Sequence, residues 1–169
     1  MRRKILHRNK FLTILFTVAL ALAGCNRKTV FHHYEHVSPE GWNRTDTLHF
    51  QVAPANNNIM LHEELELRAT SHYPFTNLSL VVEQTILPSH AGISYYSSHS
   101  IKRVDTLKCS LTDKNGIATG KGINYFYHHF HLADISINKG DSVIISVHHN
   151  MRKEVLSGIA DVGILISSR

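Results

Sequence analysis

Histidine is the residue type with the most potential for chemistry here, because the chain of 169 residues contains 14 of them. They cluster at residues 32–33, 128–131 and 148–149. Neighbouring residues of a β-strand point to opposite faces, whereas His129 and His131, two positions apart, share a face. Such a pair can bind zinc when a third ligand, for example His149, comes from another strand. The alternative, which we favour, is that these imidazoles are solvated or half-buried strand residues.

The other reactive groups give no enzyme signature. Glu64 and Glu66 share a strand face and could act as acid and base, but on a polar face we favour solvated carboxylates. Cys109 alternates with Leu107 and Leu111, which predicts a buried, inert thiol. The sequence contains no GxSxG, phosphate-binding loop or GxGxxG motif. We therefore expect no catalytic residue and no cofactor.

The N-terminal segment has the pattern of a secretion signal. Residues 1–10 are basic, and residues 11–23 form an apolar run in which only two threonines are polar. Thirteen helical residues span about 20 Å, which is short of the roughly 30 Å hydrocarbon core of a bilayer. A basic start followed by a short apolar run is typical of a cleaved signal peptide rather than of a transmembrane helix.

The signal ends in Leu22, Ala23, Gly24 and Cys25, a string that resembles the lipobox of bacterial lipoproteins. The resemblance implies that residues 1–24 are removed and that Cys25 carries acyl chains such as palmitate. Several chains, at about 0.8 kcal/mol per buried methylene, make attachment to a lipid bilayer effectively permanent.

The residues after the cysteine predict which membrane holds the protein. Lipoproteins retained in the inner membrane of well-studied bacteria carry an aspartate at the second mature position, where this chain has Asn26. Some lipoproteins that reach the cell surface carry acidic residues just after the cysteine, and the first one here is Glu35. We therefore expect an outer-membrane lipoprotein, on the periplasmic face rather than the cell surface.

The net charge of +5 belongs to the leader. Five of the 18 basic residues precede position 11, and all 13 acidic residues follow position 34, so the chain after the leader is neutral. This distribution excludes a nucleic-acid-binding protein of the usual basic kind.

The rest of the chain shows the period of β-strands. In residues 61–70 four of the five odd positions are apolar and all five even positions are polar, which predicts a half-buried strand. Similar patterns occur at residues 48–52, 77–87, 106–112, 142–149 and 160–166. Residues 123–132 are rich in aromatic side chains, which predicts one more strand. Turn signals separate several of these segments, for example Asn115-Gly116 and residues 138–141.

These patterns predict an all-β protein, an antiparallel β-sandwich of about seven to eight strands and roughly immunoglobulin size, with a small barrel as the alternative. The expected organisation is a signal peptide at 1–24, a lipidated N-terminus and tether at 25–45, and a sandwich domain at 46–169. Trp42 and the tyrosines could form a glycan-binding platform, but we favour Trp42 as a plug at one end of the core.

Several segments together resemble the gliding-motility lipoprotein GldH family over about residues 30–166. The most specific string runs from Met151 to Gly163. The residues that carry the resemblance are Trp42, Arg68, Tyr73, Pro74, Asn77, Met151, Arg152, Gly158, Asp161 and Gly163.

The resemblance implies a cell-envelope lipoprotein required for gliding along surfaces, in bacteria whose motility apparatus is linked to a secretion machine. Its partners would be other envelope, gliding or secretion proteins, and it implies no catalytic residue.

The chemistry of the shared residues suggests structural roles. Arg68 should pair with a carboxylate, and Asp161 should satisfy backbone N–H groups or Arg152. Tyr73-Pro74 should begin a turn, Asn77 should cap it, and the two glycines should mark positive φ or close backbone approach.

Overall fold

The computed structural model describes residues 28–89 and 100–168, so the signal peptide and Cys25 lie outside the described residues. Within these two ranges no helix is long and apolar enough to cross a membrane. The described strands are β1 (Lys28–His36), β2 (Trp42–Asn43), β3 (Leu48–Val52), β4 (Ile59–Thr70), β5 (Asn77–Leu87), β6 (Ile101–Ser110), β7 (Tyr125–Ile137), β8 (Ser142–His149), β9 (Val155–Leu156) and β10 (Ile159–Ser168).

Two four-stranded sheets form the body of the protein. The first sheet has the strand order β1-β10-β4-β7 and the second has the order β3-β8-β5-β6, while β2 and β9 form a small separate ribbon. All pairings are antiparallel. The predicted all-β class and antiparallel sandwich are confirmed.

One difference from the expected organisation lies at the start of the domain. Residues 28–36, which we assigned to a tether, form β1 and pair with β10 from Lys28–Ser168 to His36–Asp161. Trp42 likewise pairs with Leu156 in the small ribbon. The apolar period is weak in β1 because it is an edge strand, whose partner lies more than a hundred residues away in the sequence.

The core lies between the two sheets and is built by the period-two pattern. In β4 the odd positions from Leu61 to Ala69 are buried against the second sheet. Side chains such as Phe50, Leu80 and Ile145 fill the space from the opposite side. Burying each of the large apolar side chains among them contributes about 1.5–3 kcal/mol, which is what holds the two sheets together.

Bulges in two strands decide which residues reach the outer face of the first sheet. In β10 the pairing shifts between Ile159 and Asp161, so Ile159 is buried in the core while Asp161 points outward. In β7 Ala133 pairs with Glu63 and His131 pairs with Glu64, which leaves Leu132 as the extra residue. An extra residue reverses the alternation of faces beyond it, so each bulge changes which side chains share a surface.

Candidate functional site

The even-numbered residues of β4 form the centre of a polar surface on the outer side of the first sheet. They include His62, Glu64, Glu66 and Arg68, which alternate with the core residues. Strands β1, β10 and β7 place further polar side chains beside them, which we list here and together call the polar face: His32, Tyr34, His36, Tyr125, Tyr127, His129, His131, Asp134 and Asp161.

Glu66 lies at the middle of the polar face and is only 3% exposed. Its carboxyl oxygens accept hydrogen bonds from His32 Nε2 at 2.7 Å and from His129 Nδ1 at 3.0 Å. Burial of Tyr34, together with its hydrogen bond to Glu66 and the nearby Glu66 charge, raises the pKa of the Tyr34 hydroxyl. Three side chains, two from β1 and one from β7, therefore enclose one buried carboxyl group.

A second buried carboxyl group lies on the same face. Asp161 accepts a hydrogen bond from Arg68 Nη1 at 2.8 Å, and His36 Nδ1 contacts its other oxygen. The Arg68 guanidinium carbon lies 5.0 Å from the centre of the Tyr125 ring and 5.4 Å from that of Tyr127, at cation–π distance. The carboxylate that sequence analysis expected for Arg68 is thus Asp161, and Asp161 pairs with Arg68 and His36 rather than with Arg152.

A groove opens beside this ion pair, where β1 ends and β10 begins. Its volume is about 620 Å³, and its lining includes His36, Arg68, Tyr125, Ser157 and Asp161. We call it the Arg68 groove. Among the described residues, Arg68 Nε is one of two buried side-chain polar atoms without a hydrogen-bond partner.

The predicted combination of His129, His131 and His149 does not assemble. His129 is bonded to Glu66, and His149 lies in the second sheet with its side chain in the core. His149 Nε2 donates to the Trp42 carbonyl at 3.0 Å, and its Nδ1 accepts from the Met151 backbone N–H at 3.4 Å. Those two bonds define the neutral tautomer, and burial lowers the pKa of His149.

His131 instead stacks on His62, with ring centres 4.8 Å apart and planes 19° from parallel. His62 Nδ1 lies 2.5 Å from Asp134 Oδ1. The three residues bring one potential ligand atom each to within 4.8 Å of one another. Sequence analysis missed this group because the bulge at Leu132 brings Asp134 onto the face of His131.

Trp42 is 1% exposed, so its indole cannot form part of a glycan-binding platform, the alternative that sequence patterns had left open. Its Nε1 donates to the Asp46 carbonyl at 3.0 Å, and its ring meets the edge of His149. It packs in the core cluster, as the favoured alternative had it.

The remaining motif residues lie mostly between β4 and β5 and between β8 and β10. Tyr73 is buried and its hydroxyl donates to the Asn77 carbonyl at 2.9 Å, across a turn that contains Pro74. Gly158 has a φ of +87°, and a Cβ there would lie 2.5 Å from the Tyr73 backbone. Met151 Sδ accepts from the Ser79 backbone N–H at 3.4 Å, while Arg152 is exposed.

Gly163 makes room for the Tyr34 ring. A Cβ at Gly163 would lie 2.6 Å from that ring, so Tyr34 can reach Glu66 only because residue 163 has no side chain. The expectation of close backbone approach holds for both Gly158 and Gly163, and of these two only Gly158 has a positive φ.

Sequence analysis also missed an interaction inside the core. Glu63 has no solvent exposure, and Gln84 Nε2 donates to both of its carboxyl oxygens at 2.6 and 2.7 Å. Burial raises the pKa of Glu63 to about 7. The sequence did contain a sign of this burial, because Glu63 occupies an odd position of β4, where the other residues are apolar.

Comparison with known proteins gives a consistent result. Residues 29–166 match the GldH lipoprotein family. The chain is 25% identical over 165 residues to the gliding motility lipoprotein GldH of Flavobacterium johnsoniae, covering 92% of this chain and 95% of that protein.

Solved structures are only distantly similar. A CocE/NonD family hydrolase from Staphylococcus aureus has a TM-score of 0.40 and 12% identity, covering 83% of this chain and 33% of that one. Latent PorU from Porphyromonas gingivalis has a TM-score of 0.35 and 8% identity, covering 86% of this chain and 14% of that one. The family match over nearly all the described residues is the specific result, and this chain belongs to the GldH lipoprotein family.

Proposed function

We propose that this protein is a lipid-anchored, non-catalytic subunit of the envelope machinery for gliding, and that it docks another envelope protein at the Arg68 groove. Membership of the GldH family supports the assignment to that machinery. The observation that carries the docking proposal is the groove itself, which combines the Arg68–Asp161 ion pair and the exposed Tyr125 in about 620 Å³.

The position of the groove relative to the anchor supports this role. Cys25 precedes Lys28 by three residues, a reach of at most about 10 Å. Strand β1 has nine residues and therefore extends about 27 Å from Lys28 to His36. An acylated Cys25 would hold the Lys28 end near the bilayer, and the Arg68 groove at the other end would face away from it.

The contacts of the polar face support a binding role rather than catalysis. Glu66 is enclosed by donors from β1 and β7, and Asp161 is held by Arg68 and His36. The acceptor positions of these two carboxyl groups are taken up by side chains of the protein, whereas a general base must have one within hydrogen-bond reach of the substrate proton.

The anchor is tested by replacing Cys25. The C25A variant should leave the membrane fraction, because an acyl chain can no longer be attached, while a C109A variant should stay there.

We further propose that the protein lies on the periplasmic face of the outer membrane, and the residues after Cys25 support this orientation. Protease added to intact cells should then leave the domain uncut, and digestion would refute that orientation.

Docking is tested by photo-crosslinking in living cells. A photoreactive residue at Ser157, which is exposed and lines the groove, should give a discrete crosslinked partner. The same residue at Lys108, exposed on the second sheet, is the control. Equal crosslinking from both positions, or a Ser157 product that persists in an R68A background, would contradict the proposal.

The assignment to the envelope machinery is tested by deletion of the gene, which should disturb gliding, secretion or envelope integrity.

A further inference from the structure

We propose that His62, His131 and Asp134 form a binding site for a divalent transition-metal ion, best represented by Zn²⁺. The proposal is independent of the docking role, because the three residues are not in the lining of the Arg68 groove. It begins from their geometry, since one ligand atom from each lies within 4.8 Å of the others.

The distances suit a tetrahedral ion after small side-chain rotations. Ligand atoms about 2.0–2.1 Å from zinc in a tetrahedral site lie about 3.4 Å from one another. Here the His62–Asp134 pair is closer, at 2.5 Å, and the widest separation in the group is at most 4.8 Å. The tetrahedral spacing falls between these values, and rotations of the three side chains are the movement that would reach it.

The bulge in β7 is what makes the group possible. His131 and Asp134 are three residues apart and would face opposite sides of a regular strand. Because Leu132 is the extra residue, both side chains instead lie on the polar face. His131 is paired with Glu64 and Asp134 with His62, both of which are even-numbered residues of β4. Bulges of this kind commonly re-aim side chains at functional sites.

The ligand chemistry selects the class of ion. Two imidazole nitrogens and one carboxylate oxygen suit zinc and its first-row neighbours, whereas Mg²⁺ and Ca²⁺ prefer sites built only from oxygen. Three protein ligands leave the fourth position for water or for a donor from another molecule. His62 is mostly buried, with 17% of its side chain exposed, whereas Asp134 is 57% exposed, so the open position faces solvent.

Two histidines outside the proposed site, one on the polar face and one on the second sheet, provide the matched controls. His129 lies two residues from His131 on the same face, but its ring is bonded to Glu66 and belongs to a different cluster. His148 lies on β8 of the second sheet, whereas the proposed ligands lie on β4 and β7 of the first. A general affinity of this histidine-rich chain for zinc would depend on these residues as well.

The experiment is a titration of the full chain, purified in detergent, with Zn²⁺ and measurement of the heat of binding by calorimetry. A second titration with Co²⁺ measures the absorbance of the bound ion. We expect one ion per chain, a tetrahedral cobalt spectrum, no competition from Mg²⁺, and a higher melting temperature with zinc. The H131Q and D134N variants, which change exposed side chains, should lose this binding, as should H62Q. The H129Q and H148Q variants should keep it. Absence of stoichiometric binding, or equal loss in H129Q or H148Q, would overturn the site.

Discussion

Replacement of Glu63 by glutamine should make the protein more stable above neutral pH. Glu63 lies between the two sheets with no solvent exposure, and Gln84 supplies its two hydrogen bonds. Burial raises the pKa of Glu63 from 4.5 to about 7, against the opposing effects of the Gln84 bond and the Arg103 charge. The folded state thus favours the protonated, neutral acid.

The sign and size of the effect follow from proton linkage. Between pH 4.5 and 7 the unfolded chain releases this proton while the folded chain retains it, so the free energy of unfolding falls as the pH rises. A rise in the pKa from 4.5 to about 7 corresponds to about 3 kcal/mol in the free energy of unfolding, at 1.36 kcal/mol per pKa unit. The loss is complete above the folded pKa, where both states are ionised. In E63Q this contribution disappears, since an amide has no proton to lose in this range.

The assay is urea unfolding at pH 5, 6, 7 and 8, followed by the fluorescence of Trp42, the single tryptophan of the chain and a buried one. The measured quantity is the difference between E63Q and the parent at each pH, because histidines also titrate in this range. That difference should favour E63Q increasingly with pH, reaching about 2–3 kcal/mol at pH 8.

The control is E64Q, the same chemical change at the next position of β4, which faces outward. Because this side chain lies outside the core, the gain expected for E63Q should not appear in E64Q. If E63Q instead shows the same pH slope as the parent, or is less stable than the parent at pH 8, the reasoning from burial is refuted.

Three further substitutions test buried contacts, two of them beside the Arg68 groove and one, at His149, in the core. R68A should cost about 2 kcal/mol in urea unfolding because Asp161 is buried, whereas R103A, which breaks an exposed pair with Asp105, should cost under about 0.5. G158A should be far more destabilising in thermal melts than G116A, because both have positive φ but only residue 158 lacks space for a Cβ. H149Q should reduce the loss of stability below about pH 6.5, since burial lowers the pKa of His149 and the unfolded chain takes up the proton first.

The sequence pattern predicted the central strand β4 and its polar row well, because alternation is a local property. It could not show where that row would find partners. Asp161 reaches Arg68 only through a bulge at residue 160, and His62 meets Asp134 only through one at residue 132. A single inserted residue reverses the facing of everything beyond it, and nothing in a period-two count records the insertion.

Histidine-rich segments were hard to interpret for a different reason. His149 was a candidate for the third zinc ligand, yet it is buried, and its two ring nitrogens are satisfied by backbone groups of Trp42 and Met151. His32, Tyr34 and His36 were assigned to a tether although they alternate along β1. Imidazole serves equally in cores, in ion pairs and at surfaces, so its position depends on neighbours distant in sequence.

The pairing of β1 with β10 has a mechanical consequence. The acyl anchor would pull on the Lys28 end of β1, while a partner at the Arg68 groove would pull at the opposite end of the first sheet. The hydrogen bonds of an antiparallel pair run perpendicular to the strands, so tension along β1 loads all of them together in shear. A strand pulled from its side would instead unzip one bond at a time. The edge strand nearest the anchor is therefore oriented to resist traction.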